Sequence, residues 1–196
     1  MTRQPDDTQL SAMTARIVLL NGVSSVGKGS VAKALQSIAR RPMLHVQMDA
    51  FLEMLPARMF GASEGYRFES WLEDGAPVTA VIGGPVLAAV MAGMRGAVAA
   101  LAGAGNDVVV DEVMWKAADL ADYRRRLAGF DFRTVALRAP LEVIEARERQ
   151  RGDRDLGLAR WQYDKVHRAM AYDLELDTSV ATPAELALAI KAAFDL

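Results

Sequence analysis

The chain contains no cysteine and only two histidines, His45 and His167. Disulfides, thiolate metal sites and cysteine nucleophiles are excluded, and a histidine-rich zinc site has too few ligands. Charge of one sign is not in excess either. The formal net charge is −2 over 196 residues, so no global basic field exists to draw nucleic acid or an anionic membrane surface. A strongly anionic ligand has to be met locally, by a few well-placed cations. Repeats and low-complexity tracts are missing. Residues Met1 to Thr14 hold no apolar core of the signal-peptide kind and read as a flexible tail before a single domain over 15–196. A cysteine-free chain suits a reducing cytoplasm, which is the expected location.

Long apolar runs are scarce. The one stretch of membrane-spanning length, Val78 to Gly105, is rich in Ala and Gly and carries Arg95 as its only charge. Its larger apolar residues (Ile82, Val86, Val90, Met94, Val98, Leu101) recur at helical spacing. This pattern predicts a long helix over Val78 to Leu101 buried along one face, not a membrane span.

What is there is an alternation of strands and helices. Apolar runs predict strands at Arg16 to Leu20, Met43 to Met48, Asp107 to Val110, Phe132 to Leu137 and Asp173 to Leu176. Helical spacing marks Lys28 to Ala39, Lys116 to Leu127, Pro140 to Arg149 and Ala159 to Met170, and Thr182-Pro183-Ala184-Glu185 is a capping box that starts a last helix. The stretch Leu55 to Pro77, with its glycines, prolines and aromatics, reads as an irregular substrate-facing insertion. Buried strands alternating with helices define an α/β fold: a five-stranded parallel sheet covered by helices on both faces.

The segment Gly22-Val23-Ser24-Ser25-Val26-Gly27-Lys28 matches the first seven positions of the Walker A phosphate loop and lies between a strand and a helix. Glycines let the backbone wrap a phosphate chain, inward N–H groups and the helix N-terminus supply partial positive charge, and Lys28 adds a point charge for the β and γ phosphates. The nucleotide-facing stretch runs on through Gly29 and Ser30. The pattern calls for Ser or Thr directly after the lysine as a Mg²⁺ ligand, whereas this chain has Gly29 and then Ser30. Either Ser30 takes over, or water and acidic groups alone hold the metal, or metal and nucleotide binding is weakened.

Asp107-Val108-Val109-Val110-Asp111-Glu112 has the form of a Walker B strand, so Asp111 or Glu112 is placed to organise the Mg²⁺ waters. Asp49 closes the second strand, where a carboxylate can orient an acceptor hydroxyl and take its proton; the alternative is a helix N-cap. Glu53 follows it by one helical turn. Arg147, Arg149, Arg151 and Arg154 crowd the end of a helix and the following loop. Forked guanidinium groups suit the equatorial oxygens of a transferring phosphoryl group, and a mobile arginine segment reads as a lid, with Arg151 and Arg154 as its phosphate contacts. The competing reading is a solvated helix paired locally with Glu148 and Asp153. His45 and His167 read as structural residues.

Taken together, Leu20 to Lys28, the segment Met48-Asp49-Ala50-Phe51-Leu52-Glu53-Met54-Leu55-Pro56, the Asp111 strand, Arg151-Gly152-Asp153-Arg154 and the stretch Tyr172 to Thr178 resemble the chloramphenicol phosphotransferase family. The similarity spans residues 16 to 195 with the motifs in the same order. The resemblance implies a nucleoside-monophosphate-kinase-like fold with a lid. It also implies transfer of the ATP γ-phosphate, with Mg²⁺, to a hydroxyl of a small molecule. In the named activity that is the primary hydroxyl of chloramphenicol, whose phosphorylation inactivates the antibiotic. By the same resemblance Asp49 corresponds to the catalytic base, Gly22 to Lys28 to the ATP loop, and Arg151 and Arg154 to lid residues. A kinase for a nucleoside or sugar hydroxyl and a nucleotide-binding protein with weak catalysis are the alternatives. The partners expected are ATP and a small hydroxyl-bearing acceptor, with no nucleic acid and no membrane; the sequence leaves the oligomeric state open.

Overall fold

Side chains alternate across a strand, so a strand that is apolar at every position must be covered on both faces. Strand β1 (Arg16–Asn21) meets this condition: Ile17, Val18, Leu19 and Leu20 are all fully buried. In the computed structural model, which describes residues 14–152 and 155–196, β1 is the middle strand of a five-stranded sheet. The strand order is β2 (Met43–Gln47), β5 (Asp107–Glu112), β1, β6 (Asp131–Arg138), β7 (Leu174–Asp177), and every pairing is parallel.

The two faces build two cores. Val18 and Leu20 join Val109, Val135 and Leu137 beneath α1 (Lys28–Ile38), α5 (Leu141–Arg151) and α7 (Pro183–Phe194). Ile17 and Leu19 join Val108 and Val110 beneath α3 (Pro85–Gly103) and α4 (Ala117–Arg126). Helix α7 starts at the capping box read from the sequence, with Thr182 and Glu185 bonding each other's backbone N–H reciprocally. A short helix, α2 (Met48–Glu53), follows β2 directly, and α6 (Leu158–Tyr163) lies beyond the arginine segment.

One prediction fails outright. Residues expected to be irregular up to Pro77 and helical from Val78 form instead an antiparallel hairpin, β3 (Tyr66–Glu73) and β4 (Ala76–Gly83), as a separate two-stranded sheet. Glu73 pairs with Ala76, leaving Asp74-Gly75 as a two-residue turn with φ of 50° and 78°. Asp-Gly is a preferred sequence for the turn that takes positive φ at both central positions, and it carries the signal that helical periodicity masked. The helix then begins at Pro85, whose missing N–H is harmless at the first helical position.

A second difference lies after Tyr163. The expected helix through Met170 is cut short by turns in which His167 and Ala169 take φ of 77° and 56°. These turns bury Val166 and set His167 Nδ1 3.0 Å from the Tyr172 hydroxyl. At the arginine segment α5 continues two residues past Arg149, and Gly152 ends it in the left-handed conformation.

Helix α3 is 19 residues long with mean hydropathy 1.7, long and apolar enough to cross a membrane by those measures. In the fold it lies against the sheet through Met94, Val98 and Ala102, and the same buried face carries Arg95.

Candidate active site

The phosphate loop sits where β1 turns into α1. Ser25 and Gly27 adopt φ of 61° and 105°, the left-handed values that curl the loop. Gly22 has no room for a side chain, since a Cβ there would lie 2.7 Å from the carbonyl oxygen of Leu137. Lys28 is buried, and its Nζ donates to the carbonyls of Gly22 and Val23 at 3.0 and 3.1 Å. The Ser25 hydroxyl is buried with no hydrogen-bond partner among the described residues. An unmet hydroxyl in a tightly curled loop beside Lys28 fits a phosphate oxygen.

Strand β5 delivers its two terminal carboxylates to opposite faces, as the two-residue period of a strand requires. Asp111 goes to the phosphate loop, with Oδ1 3.7 Å from Lys28 Nζ. Glu112 goes the other way. It is buried, accepts a 2.5 Å hydrogen bond from the Tyr123 hydroxyl, and lies 4.0 Å from Arg95 Nη1. The structure thus separates two carboxylates that the sequence offered for one role, and Glu112 does not face the loop. Burial pushes its carboxyl up to about 7, against the lowering effects of Tyr123 and Arg95, while burial and the neighbouring Glu112 carboxyl push the Tyr123 phenol up.

Gly29 lies beside Asp111: a Cβ at this position would sit 3.3 Å from Asp111 Oδ2. A hydroxyl residue here would therefore bring its oxygen to the carboxylate, as the usual loop pattern does. Ser30 is exposed and lines the same cavity. His45, read from the sequence as a core residue, approaches from beneath. Gln47 Nε2 donates to its Nδ1 at 3.0 Å, which leaves the proton on Nε2, 3.9 Å from Asp111 Oδ2. Burial lowers the His45 pKa more than Asp111 raises it.

Two cavities meet at this point. One, of about 650 Å³, runs along the phosphate loop to Arg151 and on to Thr178, Ala181 and Pro183. The other, of about 890 Å³, is walled by Phe60, Tyr66, Phe68, Leu87, Trp115 and Trp161, with Arg95, Glu112 and Asp119 among its polar groups. Only Ser24, Met48, Asp49 and Val113 line both. Asp49 is half-buried in the first turn of α2 and is not its N-cap, which is Gln47. Glu53 lines the larger cavity beside it.

The arginines divide. Arg147 is fixed, donating to the Thr178 hydroxyl at 2.8 Å, the Thr178 carbonyl at 2.7 Å and the Val26 carbonyl at 3.3 Å. Arg149 and Arg151 are exposed, and Arg151 lines the phosphate cavity. Arg154 lies outside the described residues. Glu148, offered as a surface ion-pair partner, is instead buried and accepts from the N–H groups of Gly157 and Ala159 at 2.8 and 2.9 Å, holding the start of α6.

Three further contributors were not singled out for a role in the sequence. Gln162 is buried in α6, and its Oε1 accepts from the Ser24 N–H at 2.7 Å. Trp115 and Trp161 meet edge to face with ring centroids 5.5 Å apart. Arg95 was visible as the lone charge of an apolar helix, a signal that a charge is being held for a partner. The hairpin that walls the larger cavity is tied to the segment before α6: Thr79 donates through its N–H to the Gly157 carbonyl at 3.1 Å and through its hydroxyl to the Leu156 carbonyl at 2.7 Å.

A parallel sheet with a phosphate loop after its first strand, an acidic residue ending the neighbouring strand and an acceptor-sized cavity beside them defines a P-loop kinase fold. Solved structures agree on the fold. The Mycobacterium tuberculosis APS kinase CysC, in complex with AMPPNP and APS, superposes with a TM-score of 0.67 at 19% identity, covering 93% of this chain and 99% of that one. A sugar kinase from a Janibacter species gives 0.65 at 19% identity over 92% and 95%. Among curated proteins, a Mycobacterium tuberculosis chain named "Putative O-phosphotransferase" is 34% identical over 177 residues, 88% of this chain and 79% of that protein. The model of the chloramphenicol phosphotransferase-like family matches residues 15–195. The chain belongs to that family and is a phosphotransferase.

Proposed function

We propose that the protein transfers the γ-phosphate of ATP to a hydroxyl of a neutral, partly aromatic small molecule, with chloramphenicol as the first acceptor to test. The observation that carries this reading is the position of Asp49, on the short wall shared by the phosphate cavity and the aromatic-lined cavity. A carboxylate at that junction is within reach of both reactants. It accepts a hydrogen bond from the acceptor hydroxyl and takes its proton as the hydroxyl oxygen bonds to the γ-phosphorus. The bond from that phosphorus to the β–γ bridging oxygen breaks, and the products are ADP and a phosphate monoester.

ATP lies along the smaller cavity, its phosphates on Gly22 to Ser30 and its base towards Thr178 and Pro183. Ser25 and Lys28 bind phosphate oxygens, and Lys28 leaves the Gly22 and Val23 carbonyls to do so. Arg151, which lines the phosphate cavity, meets the transferring group; Arg154, the second expected lid residue, lies outside the described residues. The oxygen donors Asp111 and Ser30 suit Mg²⁺, a hard cation that prefers carboxylate, hydroxyl and water, and when bound it neutralises charge building on the phosphates. The domain is a single unit over 15–196 acting in the cytoplasm.

The test is ATP consumption with Mg²⁺ across a panel of hydroxyl compounds that includes chloramphenicol, with the product identified by mass. A phosphorylated chloramphenicol establishes acceptor and reaction together, and with them the part in antibiotic inactivation. Turnover confined to another alcohol keeps the kinase and moves the specificity question to the aromatic cavity. ATP binding without product from any acceptor removes the proposal.

A further inference from the structure

Arg95 stands in the middle of α3 and is 8% exposed. Its Nε donates to Asp122 at 2.8 Å, and its Nη1 lies 3.4 Å from Asp119 Oδ1 and 4.0 Å from Glu112 Oε1. Asp122 is held in turn by Arg126 at 2.9 Å and by Arg125, and these guanidinium contacts keep its carboxyl well below the usual range although burial opposes them. The fork is therefore anchored through its inner nitrogen. Among the described residues neither terminal nitrogen donates a hydrogen bond, and the side chain lines the larger cavity. Nη1 makes only the longer ion-pair contacts to Asp119 and Glu112, so the guanidinium keeps hydrogen-bonding capacity for a ligand atom that accepts from it.

The surrounding charge selects which ligand atom. Among the described residues two cations, Arg95 and Lys116, line that cavity against five carboxyl groups, Asp49, Glu53, Glu112, Asp119 and Asp155, with Glu112 and Asp119 paired to Arg95. A carboxylate, sulfate or phosphate group entering here meets two carboxyl groups along with the guanidinium. A neutral hydroxyl or amide meets a donor in Arg95 and an acceptor in Asp119, and satisfies both. Arg95, Glu112 and Asp119 line the larger cavity alone, whereas Asp49 lines both. The cluster thus lines the larger cavity and not the phosphate cavity.

We propose that Arg95, Glu112 and Asp119 form a specificity subsite that binds a neutral hydroxyl or amide of the acceptor, remote from the hydroxyl that is phosphorylated. The subsite rests on the kinase reading above and adds a substrate class to it: uncharged alcohols with a second polar group are accepted and anionic ones refused.

The test compares chloramphenicol and other neutral primary alcohols with shikimate and gluconate, which carry carboxylates, using the full chain and Mg²⁺-ATP. Neutral acceptors are turned over and the carboxylates are not. Arg95→Lys keeps the charge but loses the fork; it raises the KM of the neutral acceptor at least about tenfold and leaves the KM of ATP within about twofold. Asp119→Asn removes one repelling carboxylate, and turnover of the anionic acceptors appears or rises at least about fivefold. A purely structural role does not produce that gain. Unchanged acceptor KM in a folded Arg95→Lys together with no gain in Asp119→Asn overturns the subsite. So does wild-type preference for the carboxylates, with the kinase reading intact. If Arg95→Lys does not fold, the Asp119→Asn result decides alone. Absence of turnover with every alcohol removes the kinase reading and this inference with it.

Discussion

The backbone N–H of Ser24 donates to the side-chain oxygen of Gln162 at 2.7 Å, and both groups are buried. This bond ties the phosphate loop to α6, the helix whose start is held by Glu148 and whose leading Gly157 receives the hairpin. Phosphate loop, hairpin and the end of α5 are thereby fastened to one short helix. Gln162→Ala leaves a buried N–H unmet, which costs about 1–3 kcal/mol and raises the KM of ATP. Gln162→Glu still accepts the bond but adds negative charge beside the phosphates. We expect Gln162→Glu to melt closer to wild type than Gln162→Ala while binding ATP more weakly than it. Melting temperatures and nucleotide titrations of the two variants check this, and the reverse order in ATP affinity counts against the electrostatic part.

Lys28 and Asp49 have different predicted failures. Lys28→Ala removes the charge that stabilises the transferring phosphoryl group, and turnover should drop about 100- to 1,000-fold. Asp49→Asn keeps the shape and the hydrogen-bonding capacity of the side chain but cannot take the proton. Its turnover should fall about 100-fold or more, with the dissociation constant of ATP nearly unchanged. Steady-state rates and nucleotide binding separate the two, and near-normal turnover in both variants would remove the site assignment.

The phosphate loop, the central strands and the parallel, doubly covered sheet were legible because each depends on local pattern: a glycine-bearing loop between an apolar strand and a helix, and apolar runs too continuous to face water. The family was legible for the same reason. The hairpin at Tyr66 to Gly83 was not, since Ile82 and its neighbours also satisfy helical spacing and only Asp74-Gly75 tells the two apart. The opposite directions of Asp111 and Glu112 follow from strand alternation, yet which of them faces the loop depends on the neighbouring layers. Gln162, Glu148 and Arg95 act through partners more than eight residues away in the chain, and no local pattern carries that information.

Gly29 leaves space beside Asp111 that the usual hydroxyl residue fills. Gly29→Ser places a hydroxyl next to the carboxylate at the cost of a contact tightened to 3.3 Å, and it also removes a glycine from the first helical turn, worth about 0.5–1 kcal/mol. The expected result is a lower Mg²⁺ concentration for half-maximal rate, by roughly threefold or more, a change of about 0.7 kcal/mol or more, with melting temperature unchanged or higher. Ser30→Ala in the natural background should raise the Mg²⁺ requirement if Ser30 serves as the substitute ligand. A Mg²⁺ titration of the rate for each variant decides whether the metal depends on hydroxyl groups here or on carboxylate and water alone.

Glu112 and His167 give the stability a pH dependence with opposing signs. The folded Glu112 carboxyl titrates at about 7 against 4.5 when unfolded, because burial disfavours its charge. Its contribution is full below about pH 4.5 and is lost as pH rises through 7. A displacement of that size corresponds to about 3 kcal/mol. Burial also depresses His167, to about 4 from 6.5, so its contribution is full above 6.5 and is lost as pH falls through 4. Between pH 4.5 and 6.5 the two slopes oppose each other, and only Glu112 acts between 6.5 and 7. Glu112→Gln keeps an acceptor for the Tyr123 hydroxyl and removes the titration. Its stability should rise with pH across 4.5 to 6.5, where the parent is flatter, and its margin over the parent should be greatest above pH 7. Urea denaturation of both proteins at pH 5, 6 and 8 measures this. A margin that does not grow with pH would show that burial does not raise the Glu112 carboxyl.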